Sequence, residues 1–201
     1  MKLIGTLLLA CLLNVVYLPV ALAYKLPDKA LLQTAEVYAV THRNLEWDAF
    51  MAPWTAYEES SPSLKPPAER AVVYTPFLLV AMEKKQALLQ QQTLEEGQIA
   101  AVLKAYEGSL VFCLILRSNQ PKFTEALTAL VQQDGRLVKP HYVHVEAPQA
   151  IGEAGAPASF EARVYVYFPQ GQINPERSAG LLAFEPGRNA RHFLLPLAAI
   201  S

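Results

Sequence analysis

The sequence predicts an α+β protein, an antiparallel β-sandwich carrying an inserted or appended helical hairpin. Two adjacent segments between Thr75 and Gly108 carry helix caps and helical periodicity. After Gly108 the apolar pattern switches to continuous runs or alternation, the mark of strands. The later runs are short and separated by Pro and Gly turns, which favours antiparallel sheets packed face to face.

The chain opens with "MKLIGTLLLACLLNVVYLPVALAYK". Lys2 precedes an apolar run from Leu3 to Leu18, Pro19 breaks it, and Ala21-Leu22-Ala23 offers small residues where a signal peptidase reads. This layout predicts a signal peptide over residues 1–23, cleaved between Ala23 and Tyr24, and export to the periplasm or the exterior. Two rivals stand beside it. An uncleaved anchor is supported by length, because a spanning helix needs roughly 20 apolar residues. Lipid attachment at Cys11, in "LLAC", fits less well because the apolar run continues past that cysteine.

Of the 17 Lys and Arg only Lys2 lies in the expected signal, leaving 16 against 18 acidic residues and a net charge of −2. Such a balance gives no electrostatic footprint for nucleic acid or an anionic membrane, and no membrane span is expected once the signal is removed. With Cys11 gone, Cys113 is left without an internal disulfide partner. It sits inside "SLVFCLILR" and reads as a small buried hydrophobe. The aspartates are Asp28, Asp48 and Asp134 alone, too scattered for a calcium loop.

The mature chain divides into an N-terminal segment over 24–70, the helical hairpin over 71–108 and an antiparallel β region over 109–201, together forming one domain. Within the first, "AEVYAVTH" reads as a first strand, with a helix as its rival, and Glu58–Pro67 reads as a Pro/Ser-rich surface loop. Thr75 is placed to cap the first helix, with Pro76 at a position where its missing donor costs nothing. Thr93 and Glu96 form the pattern of a capping box for the second. Ile99, Val102, Leu103 and Tyr106 recur on one face, and Gly108 closes the end.

"SLVFCLILR" is apolar on both faces, which suits a central strand covered on both sides. Asp134-Gly135 lies between two alternating runs and predicts a tight hairpin, favoured over a rival helix at 121–133. "SFEARVYVYFP" alternates cleanly, with Val164, Val166 and Phe168 on one face and Arg163, Tyr165 and Tyr167 on the other. Two more strands flank the turn Pro186–Asn189.

Chemistry-bearing residues are few. If "KPHYVHVE" is a strand, His141 and His144 point to opposite faces, so they cannot chelate one metal ion without a bulge. The serine-elbow, zinc-helix, phosphate-loop and dinucleotide patterns are absent, and no cofactor is expected. Aromatic surface is the stronger signal. Trp47, Trp54 and Tyr57 lie beside the proline loop, and Arg163, Tyr165 and Tyr167 share one strand face; these six are the candidate ligand-binding residues. Trp47, Phe50, Met51 and Trp54 also fall at helical spacing, so core packing is the favoured reading of that segment, which is the first ligand surface to consider if there is one.

The general build resembles immunoglobulin-like sandwiches, without their Cys, Trp and Cys pattern, so no residue and no activity is carried over. The expected function is an exported, non-enzymatic binding or envelope-interaction module with a protein or cell-envelope partner. The alternative is a small exported hydrolase with a site assembled from scattered Glu, His and Tyr residues. An approach of Glu146 or Glu161 to His144 or His192 at the base of a pocket would favour the hydrolase.

Overall fold

The computed structural model describes residues 28–62, 67–152 and 159–200. The expected signal, its Ala23–Tyr24 junction and Cys11 lie outside the described residues, as do parts of the proline loop and of the "GEAGAPAS" connection. Among the described residues no helix is long and apolar enough to cross a membrane.

Among the described residues, two antiparallel sheets and four α-helices make up the fold. Helix α1 spans Lys29–Thr41, α2 Trp47–Met51, α3 Pro76–Leu89 and α4 Glu96–Ala105. The first sheet runs β1 (Thr55–Tyr57), β2 (Arg70–Tyr74), β3 (Ser109–Ser118), β8 (Ser159–Pro169) and β6 (Tyr142–Val145), with β7 (Gln149–Ile151) also on β8. The second runs β10 (Arg191–Leu195), β9 (Ala179–Phe184), β4 (Thr128–Gln133) and β5 (Arg136–Val138).

Strand β3 is central, paired with β2 on one side and β8 on the other. Its apolar run is buried on both faces, as continuous apolarity requires. One face carries Phe112, Leu114 and Leu116 into a core shared with Leu181, Phe193 and Leu195 of the second sheet. Each side chain so buried contributes about 1.5–3 kcal/mol of transfer free energy. Across β3, Phe112 meets Phe168 edge to face at 5.7 Å. The opposite face carries Val111, Cys113 and Ile115 toward the helices. An antiparallel bridge between Glu58 and Phe193 joins the edges of the two sheets.

The hairpin helices form as expected. The Thr75 hydroxyl accepts from the Leu78 amide at 3.2 Å, Pro76 occupies the first turn, and Gly108 takes a φ of 73° where the chain leaves α4. The cap of α4 sits two residues later than Thr93, because Glu95 is the cap and its amide donates to the Gln98 side chain at 3.0 Å. Asp134 and Gly135 take φ values of 52° and 73°, the left-handed pair that closes a two-residue hairpin between β4 and β5. The rival helix over 121–133 is thereby replaced by turns and strand β4.

"AEVYAVTH" is corrected from strand to helix. The Asp28 carboxylate accepts from the Leu31 amide at 2.8 Å and starts α1 ahead of it. Ala35 and Ala39 are the residues α1 buries fully, while Val37 and Val40 face outward. The apparent alternation came from valines on the wrong side of a helix.

Candidate functional site

Strand β8 puts Arg163, Tyr165 and Tyr167 on the same face, and its partners extend that face in register. Tyr165 lies between Cys113 of β3 and His144 of β6, and Tyr167 lies between Val111 and Tyr142. Strand β2 adds Val72 and Tyr74, paired with Cys113 and Val111. Helices α2, α3 and α4 stand over this face and leave a groove in two connected halves, which share Tyr74, Met82, Glu83 and Tyr165.

The first half, about 290 Å³, has Val72, Cys113 and Ile115 in its lining, Trp47 and Met51 from α2 opposite, and Arg163 beside them. The second half, about 400 Å³, is lined by Tyr74, Tyr106, Tyr165 and Tyr167, with Glu83, His144 and Glu146 among its polar groups. Ring contacts join the tyrosines: Tyr74 lies 6.0 Å from Tyr106 and 5.9 Å from Tyr165, and Tyr106 stacks on Tyr167 at 6.0 Å. The Tyr165 hydroxyl donates to Glu146 Oε1 at 3.1 Å, which fixes that carboxylate at the rim.

Burial sets the chemistry of these groups. It holds the Tyr74 and Tyr165 hydroxyls well above the ordinary phenol range and pushes Tyr106 up to about 12, with the neighbouring Tyr167 adding to the effect. Burial likewise pushes the Cys113 thiol up to about 11 against the opposing charge of Arg163. Neutral phenols and a neutral thiol offer hydrogen-bond donors and polarisable surface, not nucleophiles.

Trp47 is held in place from behind. Lys85, 1% exposed on α3, donates to the carbonyls of Arg43 and Leu45 at 2.7 Å each, and its ammonium lies over the rings of Trp47 and Phe50. These bonds anchor the turn between α1 and α2 and thus the groove wall.

Of the six residues read from the sequence, the groove brings together Trp47, Arg163, Tyr165 and Tyr167. Trp54 does not join them: it is 6% exposed and stacks on Phe77 at 5.6 Å, within a cluster that includes Tyr38. Tyr57 sits on β1 opposite Arg70, whose guanidinium holds Asp48 at 2.7 Å. Missed were Tyr74, Met82, Glu83 and Tyr106 as groove residues. Tyr106 was legible as an apolar-face residue of α4, but nothing local showed that this face meets the sheet.

The carboxylate and histidine pairs that would mark a hydrolase do not form among the described residues. Glu161 holds Arg117 at 2.8 Å, Glu146 takes the Tyr165 hydroxyl, and the His144 ring lies beside Tyr165. His141 meets the Ser109 hydroxyl at 3.3 Å. A larger groove, about 790 Å³, runs between α1 and α4 over Leu32, Ile99 and Leu103, but it has no aromatic ring and carries charges of both signs at its edge. Compared with protein-family models, curated proteins and solved structures, the chain matches none.

Proposed function

We propose that this protein is an exported, non-enzymatic binding module whose ligand seat is the tyrosine-lined groove between the first sheet and the helices. The single observation that carries the reading is the convergence of Tyr74, Tyr106, Tyr165 and Tyr167, from two strands and a helix, around one cavity with carboxylates at its rim. Aromatic walls with a few placed polar groups are the usual make-up of a small-molecule site. The two sheets, with their shared core, serve as a sandwich of general immunoglobulin-like build that holds the groove rigid. Export follows from the signal layout at the N-terminus, and the envelope is where the ligand or partner is to be sought.

Native mass spectrometry of the exported protein, isolated from its own envelope, tests this reading. A bound small molecule is expected on the wild type, lost in a folded Tyr106→Ala/Tyr165→Ala variant and released chemically unchanged. Conversion of the molecule during incubation would instead support the hydrolase. Retention of the molecule by the variant would move the site elsewhere.

A further inference from the structure

The two halves of the groove differ in charge. Both halves carry two carboxylates, but Arg163 lines the half that holds Trp47, Asp48 and Ile115, whereas no lysine or arginine lines the tyrosine half. There the charged groups are Glu83 and Glu146. Glu83 makes no ion pair with a basic side chain among the described residues, whereas Glu146 takes the Tyr165 hydroxyl and lies within electrostatic reach of Arg163 in the neighbouring half. Four phenol rings line the same space, with Tyr106 stacked on Tyr167 and in contact with Tyr74, which in turn meets Tyr165 edge to face. Ring faces and a carboxylate without a basic partner, Glu83, attract the same kind of guest, a cation whose charge is spread over an apolar shell.

We propose that the tyrosine half of the groove binds an organic cation of the alkylated-ammonium class, its methyl groups against Tyr74, Tyr106, Tyr165 and Tyr167 and its charge toward Glu83 and Glu146. This rests on the groove being the ligand seat and adds the chemistry of the guest. A compact hydrated metal ion is a poor fit, because phenol faces cannot replace its water and, among the described residues, no group of three or more His, Cys, Asp or Glu side chains is placed to hold one. An alkylated ammonium ion has little water to lose and gains apolar contact as well as charge. A guest that also carries an anionic group would extend it into the neighbouring half, toward Arg163.

The experiment compares choline with 3,3-dimethylbutan-1-ol, which has the same shape and no charge, by calorimetry and by the resonances of the tyrosine rings. Choline is expected to bind about tenfold or more tighter than the neutral alcohol. The preference is expected to fall several-fold in Glu83→Gln and to disappear in Tyr106→Ala, with Tyr106→Phe keeping it because the ring is what matters. Equal binding of the two compounds in the groove would overturn the cation inference and leave the groove as the ligand seat. Tighter binding of 3,3-dimethylbutanoate would overturn it in favour of an anion held by Arg163. Binding of neither compound to folded protein would overturn it outright, while the mass-spectrometric result on the native ligand would still decide the groove.

Discussion

The Lys85 ammonium donates to the Leu45 carbonyl at 2.7 Å from a position that is 1% exposed, and this bond ties α3 to the turn that carries Trp47. Among the described residues no carboxylate sits within ion-pair distance of it, so carbonyl dipoles and two aromatic faces carry the charge. Burial lowers its affinity for the proton.

Lys85→Met keeps the side-chain volume but leaves the Arg43 and Leu45 carbonyls without their donor. Both bonds are charge-assisted but only part-buried, and such bonds contribute about 1.5–3 kcal/mol each, so a loss of about 3 kcal/mol is expected in urea unfolding. Tryptophan emission should shift to the red as Trp47 gains freedom. An unchanged midpoint and an unchanged spectrum would show that the lysine anchors nothing.

Arg191 joins segments far apart in the chain. Its Nε donates to Glu69 at 2.9 Å and its Nη2 to Glu185 at 2.9 Å and to the Arg117 carbonyl at 3.0 Å. Arg191 and Glu185 are both buried, so Arg191→Met leaves the Glu185 carboxylate held only by Ser118 and the half-exposed Arg188, at a cost of about 3 kcal/mol. Arg191→Lys should recover part of it. Losses below about 1 kcal/mol, the range of exposed pairs, would refute the burial argument.

Stability should fall in alkali. Burial raises Cys113 from 9.0 to about 11 and Tyr106 from 10.0 to about 12. The folded state therefore favours the protonated forms. This contribution is complete below pH 9 and is lost as the unfolded chain ionises first, through the window between pH 9 and pH 12. Urea midpoints measured across that window should decline, with the lower part of the decline reduced in Cys113→Ala. At neutral pH, Cys113 should resist thiol reagents until the protein unfolds. Rapid labelling of native protein would contradict both expectations.

The mature N-terminus should be Tyr24. Intact mass of the exported protein decides it, since a retained Met1 would indicate an anchor and a lipidated Cys11 a lipoprotein.

Much of the fold was legible because local physics specified it. The Thr75-Pro76 start, the Gly108 stop and the Asp134-Gly135 turn each depend on a backbone geometry that few residues satisfy. The doubly apolar "SLVFCLILR" had to be interior. Helix α1 was not legible, because Val37 and Val40 point outward and its buried residues are two alanines, which carry little periodic signal. The groove was legible only by half. Arg163, Tyr165 and Tyr167 share one strand and announced their common face, whereas Tyr74 ends β2 and Tyr106 caps the C-terminal end of α4. Only strand pairing and helix docking, both non-local, bring those rings together.

The central claim is that the tyrosine groove holds the ligand. Titrating isotope-labelled wild-type protein with choline and following the ring resonances of Tyr74, Tyr106, Tyr165 and Tyr167 tests it most directly. Saturable shifts concentrated on those four rings, with the choline methyl signal moved upfield by the ring currents, are the predicted result. Shifts that map instead to Leu32, Ile99 and Leu103 in the groove between α1 and α4, with the tyrosines unmoved, would contradict it.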